Sequence, residues 1–454
     1  SDCLVGSEMC IRDSDNIEDV ATDVLTDLSP AERDQIVLPK HDRQVFYDAL
    51  MKVTKHQANE DMAWRLIDNS RPTMVWLRNH GIRFIPMFGR QSFMVDGKHH
   101  FYGGVNIEAV GGGSGLVEAE IRRALQIGCE IRYDTAATRL IQDKNKKITG
   151  LEISSPDGIE TINARSIVLA CGGFESNPEM RARYLGPGWD LARVRGTKHN
   201  MGDGIKMAID IGARAYGNWS GCHSVGWDIS APEYGDYEVL DNFQKHSYPW
   251  GIMVNTDGNR FVDEGEDLRN HTYVKFGREI MNQPNRTAVQ IFDQKTIPLL
   301  RDEYRIRQVT KVSGNTIAEL AQELEINASA LTKTIDEFNA ACKPGKFNPS
   351  ILDGVATTGL NPNKTNWALP IDEPPFEAFI TTTGVTFTFG GLKVDDKGSV
   401  LDNNDRSIGG LFAAGELVGG LFYENYPGGS GLMAGAVYGK IAGENAASYA
   451  VGNT

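Results

Sequence analysis

The 454-residue sequence contains no apolar stretch approaching the roughly 18 residues that a membrane helix requires. A membrane-spanning helix is therefore not expected. Basic charge is also short, with 46 Lys and Arg against 60 Asp and Glu, a formal charge of −14. Nucleic-acid binders need a basic footprint, so that class is set aside. A small basic pocket for an anionic substrate is still compatible, because net charge does not describe local fields. Cysteine is sparse: Cys3, Cys10, Cys129, Cys171, Cys222 and Cys342 form no Cys-x-x-Cys pair and no zinc-type spacing. No disulfide framework and no metal site are expected, and scattered cysteines read as small core residues. Internal repeats and low-complexity runs are missing too.

What is present is enough apolar residue, 41%, for one large or two ordinary domains with a sizeable core. Glycine is abundant at 49 residues, well above the usual share of about 7%. Dispersed as they are, the glycines suit tight turns and close backbone approach to a ligand. The composition is that of a soluble α/β protein, with an enzyme as the leading expectation.

Apolar residues recur at helical spacing over 44–56 and 59–79, including Ala63, Leu66, Ile67, Met74 and Leu77. A glycine run at 111–115 leads into an amphipathic helix over 116–127, with Glu118 and Glu120 as carboxylates at its start. Short strands are expected at 129–133, 138–142, 148–154 and 160–163. The continuous apolar run 167–170 ends at Gly172-Gly173, the pattern of a buried parallel strand entering a ligand-binding turn. Further helices are expected at 204–212, 317–324, 328–342 and 432–449. Between 221 and 385 the chain becomes richer in aromatics and long loops.

Five segments carry the sharpest signal: VLACGGF at 168–174, HNMGDG at 199–204, GIMVNTDGNRFVDE at 251–264, LFAAGELVGG at 411–420 and NYPGGSGLMAG at 425–435. Each is weak alone. In their order and spacing, from Tyr47 to the end, they resemble the flavoprotein family of fumarate reductases and succinate dehydrogenases. Within that family the chain is most similar to the FAD-dependent tricarballylate dehydrogenases, notably at GVTFTFGGLK, 384–393. The resemblance implies an α/β fold: a Rossmann-like FAD-binding domain over 15–220 and 387–454, with an inserted α+β clamp domain at 221–386. It also implies non-covalent FAD.

One departure is large. The family opens with a βαβ unit bearing a GxGxxG turn, and here no strand is expected before Gly111–Gly115 at the required spacing. The first βαβ unit is therefore read as lacking, and with it the helix N-terminus that would hold the pyrophosphate. Residues 8–14, EMCIRDS, can be written in codons as GAG ATG TGT ATA AGA GAC AGC, which contains a transposase mosaic end. Residues 1–14 are accordingly expected to be adaptor sequence, outside the fold.

Carried over residue by residue, the resemblance places Ala137, Ala170, Cys171, Gly172, Asp203, Glu416, Gly431 and Leu432 against FAD. On residue type alone, Asp203 and Glu416 also fit turn or capping carboxylates. His223 matches a histidine near the substrate carboxylate, and Arg269 the arginine that donates a proton, with Glu266 and Asp267 flanking it. Tyr426 stands where fumarate reductases have a carboxylate-clamping arginine, and Phe387 where they have a histidine. His271 joins the catalytic candidates; His246 and Tyr248 join Phe387 as substrate-binding candidates. The implied reaction is hydride exchange with a carbon–carbon bond beside a carboxylate, on a polycarboxylate such as tricarballylate. Alternatives are another unsaturated acid, or a 3-oxosteroid polarised by the Tyr426-Pro427-Gly428 turn. A flavin electron-transfer subunit without substrate chemistry is the non-enzymatic alternative. A quinone-linked iron–sulfur partner and a cytoplasmic location complete the expectations.

Overall fold

The computed structural model describes residues 8–11, 16–102 and 105–452. A six-stranded sheet forms its middle. Its central strand, Phe376–Leu392, is rich in threonine and phenylalanine, residues that suit a pleated, half-buried surface. Ala215–Asp228 runs antiparallel to it from Ala215 opposite Leu392 to Asp228 opposite Thr381. Ala288–Phe292 and Lys311–Gly314 flank the 376–381 part of the central strand on its two edges, Ile252–Asn255 pairs with Ala288–Phe292, and Arg193–Val194 adds a short parallel pairing. Both long strands pass through 220/221 and 386/387, so the expected domain boundaries fall inside strands. The ladder slips there, between Asn218 and Cys222 and between His223 and Ser224. Such irregularities re-aim side chains, and His223 comes to lie opposite Phe387.

A smaller sheet pairs Ile167–Leu169 in parallel with Ser407–Ala413, which in turn pairs antiparallel with Ser399–Leu401. The C-terminal helix, Ser430–Gly452, packs over this sheet and against the helix Glu60–Asn79. The Tyr438 hydroxyl ties the two helices by donating to the Met62 carbonyl at 3.0 Å. The 167–169 strand was expected to be buried on both sides, yet Val168 is 37% exposed. Its one strand partner among the described residues is Ser407–Ala413, and its other edge is unpaired.

Most helices lie close to expectation: Arg43–Val53, Glu60–Asn79, Asp203–Asp210, Ile317–Glu323 and Ala328–Ala341. Asp42, Asn59, Thr316 and Asn327 cap their N-termini by accepting from backbone N–H groups. Four expectations are corrected. A strand, Val105–Ala109, does precede the glycine run, and the helix Gly112–Gln126 starts inside that run. This strand pairs antiparallel with Phe84–Pro86 and Glu8–Ile11, so it is no βαβ unit. Glu118 and Glu120 consequently fall beyond the first turn and do not complement the helix start. Residues 129–133 form no strand, because no neighbour offers them a ladder, and Tyr133 is left 70% exposed. Part of the segment expected to lie outside the fold is inside it: Glu8–Ile11 is the edge of that antiparallel sheet, with Met9 buried. Among the cysteines, Cys222 is buried and Cys342 half-buried, whereas Cys129 and Cys171 are exposed; Cys3 lies outside the described residues. No helix among the described residues is long and apolar enough to cross a membrane.

Candidate active site

A cavity of about 380 Å³ opens where the C-terminal helix, the slipped ladder and the turn 414–416 meet. Its first wall is glycine. Gly431, Gly435 and Gly439 share one helix face at four-residue spacing, and all three line the cavity. A Cβ at Gly435 or Gly439 would meet nothing within 4 Å, so this face is flat and bare. At Gly431 a Cβ would approach Phe387 to 3.2 Å and Tyr426 to 3.4 Å.

The second wall is a carboxyl pair, buried Glu175 and half-buried Glu416. Glu416 Oε1 accepts from the Thr388 backbone N–H at 2.7 Å and from its hydroxyl at 3.2 Å. Glu175 accepts from the side chain of Asn200. Gly173 makes the approach possible, since a Cβ there would lie 2.1 Å from Glu416 Oε1. Burial raises both pKa values, and the neighbouring Glu416 carboxyl pushes Glu175 further, well above the usual carboxylate range.

The third wall holds a phenol and an imidazole. The Tyr426 hydroxyl lies 2.5 Å from His223 Nδ1, and Phe387 packs against both rings. Burial, helped by the charges of Arg195 and Arg269, holds the His223 pKa well below its usual value, so the ring is neutral. Among the described residues, His223 Nε2 has no hydrogen-bond partner. Tyr426 is fixed by its own turn: Asn425 Oδ1 accepts from the Tyr426 N–H at 2.8 Å, while Asn425 Nδ2 donates to the His271 carbonyl at 2.7 Å.

Cations make up the fourth wall. Arg195, 5% exposed, donates to Asp241 at 3.1 Å, to Gln244 at 3.2 Å and weakly to Thr386 at 3.4 Å. The Arg269 guanidinium sits 4.9 Å from the centre of the Tyr273 ring. Glu266 and Asp267 do not serve it: their side chains are bound by Lys275 and Lys52, respectively.

Of the residues singled out from sequence, Ala170, Gly172, His223, Arg269, Phe387, Glu416, Tyr426, Gly431 and Leu432 all line this one cavity. Ala137, Cys171, Asp203, His246, Tyr248 and His271 are not in its lining. The Cys171 thiol packs against Gly204, and Asp203 opens the helix Asp203–Asp210. Tyr248 is a packing residue, its ring stacked 3.9 Å from Phe276 and its hydroxyl 2.7 Å from that of Thr272. His271 pairs with Asp267 at 3.4 Å. His246 stands behind Tyr273, edge-on at 5.2 Å, and burial keeps it neutral. Sequence reasoning missed Glu175, Arg195, Asn200, Gln244 and Thr386. Glu175 directly follows Gly-Gly-Phe, and Arg195 stands four residues before HNMGDG, so proximity to motifs was the available signal.

A family model for an FAD binding domain matches residues 30–432. The chain belongs to this FAD-binding family. A probable fumarate reductase of Shewanella frigidimarina is 28% identical over 411 residues, covering 89% of this chain and 64% of the relative. An NADH:acrylate oxidoreductase of Vibrio harveyi is 31% identical over 326 residues, covering 69% of this chain and 30% of the relative. The chain thus spans less than two thirds of the length of either. Among solved structures, 3-ketosteroid Δ1-dehydrogenase from Sterolibacterium denitrificans superposes with a TM-score of 0.72 at 21% identity, covering 98% of this chain and 92% of that one. The fold is the mixed α/β FAD-binding fold.

The residues present fit the family's cofactor. The bare glycine face can receive a flat ring, and Glu175, which lines the same cavity, has a buried carboxyl oxygen without a donor among the described residues. Glu416, Ala170, Gly172, Gly431 and Leu432 line this space and are the residues that could hold FAD.

Proposed function

We propose that this chain is the catalytic part of a flavin-dependent oxidoreductase that reduces, or forms, a carbon–carbon double bond beside a carboxylate. The observation that carries the reading is the convergence of Arg269 and the Tyr426–His223 pair on the glycine-faced cavity. FAD, bound non-covalently, supplies the hydride exchange. Arg269 then has two tasks: its charge holds a substrate carboxylate, and it exchanges the proton at the carbon next to the one that exchanges hydride. With its proton on Nδ1, neutral His223 donates to the Tyr426 oxygen, and the phenol O–H is the donor turned toward a substrate oxygen. Phe387 and Phe422 keep water from the reacting carbons.

The names of the relatives, acting on fumarate and acrylate, favour reduction of an unsaturated acid. The close match at 384–393 and the uncharged Tyr426 and Phe387 favour a polycarboxylate of the tricarballylate type over fumarate itself. The same reading makes 15–220 and 387–454 a Rossmann-like domain without its first βαβ unit, and 221–386 its clamp. The unpaired edge of Ile167–Leu169 supports it. A quinone-linked iron–sulfur electron partner and a cytoplasmic location rest on the family resemblance alone. A second reading, a 3-oxosteroid substrate, draws on the phenol that the 425–428 turn presents beside Gly431.

The test is anaerobic flavin spectroscopy. Reoxidation of the reduced, FAD-loaded protein by unsaturated acids, or bleaching of the oxidised form by their saturated counterparts, is expected. Response to 3-oxosteroids alone would overturn the carboxylate reading.

A further inference from the structure

We propose that Arg195 sets how many carboxylates a substrate must carry, by receiving a second carboxylate while the first is held at Arg269. The proposal rests on the carboxylate reading of the cavity. Arg195 follows the short strand Arg193–Val194, and its backbone N–H donates to the Val385 carbonyl at 2.7 Å. That anchor puts its guanidinium into the cavity lining beside Gly196 and Thr197. Two of its nitrogens are engaged with Asp241, Gln244 and Thr386, yet Nε, although buried, has no acceptor among the described residues.

The charge balance points the same way. Asp241 is divided between Arg195 and Arg90, which grips it at 2.9 and 3.0 Å. Buried Arg195 therefore does not have the Asp241 carboxylate to itself, and a buried guanidinium gains from a further anion. The two nearby histidines do not add to that charge, because burial and the arginines keep His223 and His246 neutral. Tyr426 and Phe387 carry no charge with which to take a second carboxylate. The Arg195 fork can, and Gln244 and Thr386 beside it supply further polar contacts.

Isothermal titration on the FAD-loaded protein tests this with propane-1,2,3-tricarboxylate and its monocarboxylate counterpart, butanoate. The wild-type protein is expected to prefer the tricarboxylate. In Arg195→Gln that preference should shrink by about tenfold or more, the scale of one lost charge-assisted contact. Arg195→Lys keeps Asp241 paired but loses the fork, so a smaller loss of preference is expected, and it carries the test if the glutamine variant fails to fold. An unchanged ratio in either folded variant, or equal weakening of both acids, overturns the proposal. A wild-type protein that binds neither acid but binds a 3-oxosteroid instead shows that the carboxylate reading has failed, and this proposal with it.

Discussion

The phenol oxygen of Tyr426 and Nδ1 of His223 stand 2.5 Å apart although 203 residues separate them in sequence. The contact joins the turn before the C-terminal helix to the slip in the 215–228 strand. Any shift between those two elements is therefore felt at the reacting centre.

The pair competes with Arg269 for the proton-transfer role, and we assign that role to Arg269. A guanidinium is a poor acid in water, with a pKa above about 12. Enclosed in this cavity beside a substrate carboxylate, it can still relay a proton. Arg269→Lys should lower kcat by at least about 10²-fold with flavin binding intact. A raised KM with kcat nearly unchanged would mean a binding role only. Near-normal turnover in Arg269→Lys, together with a collapsed rate in Tyr426→Phe, would transfer the assignment to the phenol.

The Glu175–Glu416 pair makes stability depend on pH in a stated direction. Glu175 has its pKa raised well above 4.5, so the folded state keeps a proton that the unfolded chain has released. Stability from this group is complete below pH 4.5 and is lost as pH rises toward the folded pKa. Glu175→Gln removes the penalty. In urea titrations of the flavin-free protein, the variant should lose less stability than wild type between about pH 5 and 8. A variant that tracks the wild-type profile would show that the pair carries no shared proton.

Glycine on the C-terminal helix gives a third test. Gly435 and Gly439 have room for a Cβ, so alanine at either should stabilise the flavin-free protein by up to about 1 kcal/mol through helix propensity. Gly435→Leu should fold as well but fill the face that receives the ring. Titration with FAD followed by absorbance is expected to show flavin held weakly by wild type and not at all by the leucine variant. Binding by both would place the flavin elsewhere.

Much of this was readable in the sequence, for physical reasons that differ by element. Helices such as 60–79 announced themselves because one face carries the core residues Ala63, Leu66 and Met74 at helical spacing. The residues of the glycine-rich motifs converge because small side chains were needed where backbone and cavity meet. Arg195 and Glu175 were illegible as site residues, because a charged side chain reads as surface until burial and partners are known. The strand before Gly111 was missed for another reason: Val-Asn-Ile-Glu-Ala alternates over only five residues, and its pairing partners lie far away in the chain. The 129–133 segment failed the opposite way, having the alternation of a strand but no neighbour to pair with.

His41 supplies the last prediction. It is 5% exposed, and burial, with a contribution from the charge of His271, lowers its pKa from 6.5 to about 4. Asp42 opposes the shift without reversing it. The folded protein thus holds His41 neutral, while the unfolded chain takes up a proton below pH 6.5. The sign follows: the stability contribution is whole above pH 6.5 and drains away as pH falls toward 4. One proton corresponds to about 1.4 kcal/mol per pH unit, or about 3 kcal/mol over the whole window. Neutral His223 and His246 add slopes of the same sign. His41→Phe removes one of the three, and Phe46, 5.4 Å from the imidazole, offers the new ring an aromatic neighbour. Urea midpoints measured from pH 7 down to 4.5 should fall less steeply in His41→Phe than in wild type, by about one proton's worth. Parallel profiles would mean that His41 is protonated in the folded protein, and that the acid sensitivity of this fold lies in other groups.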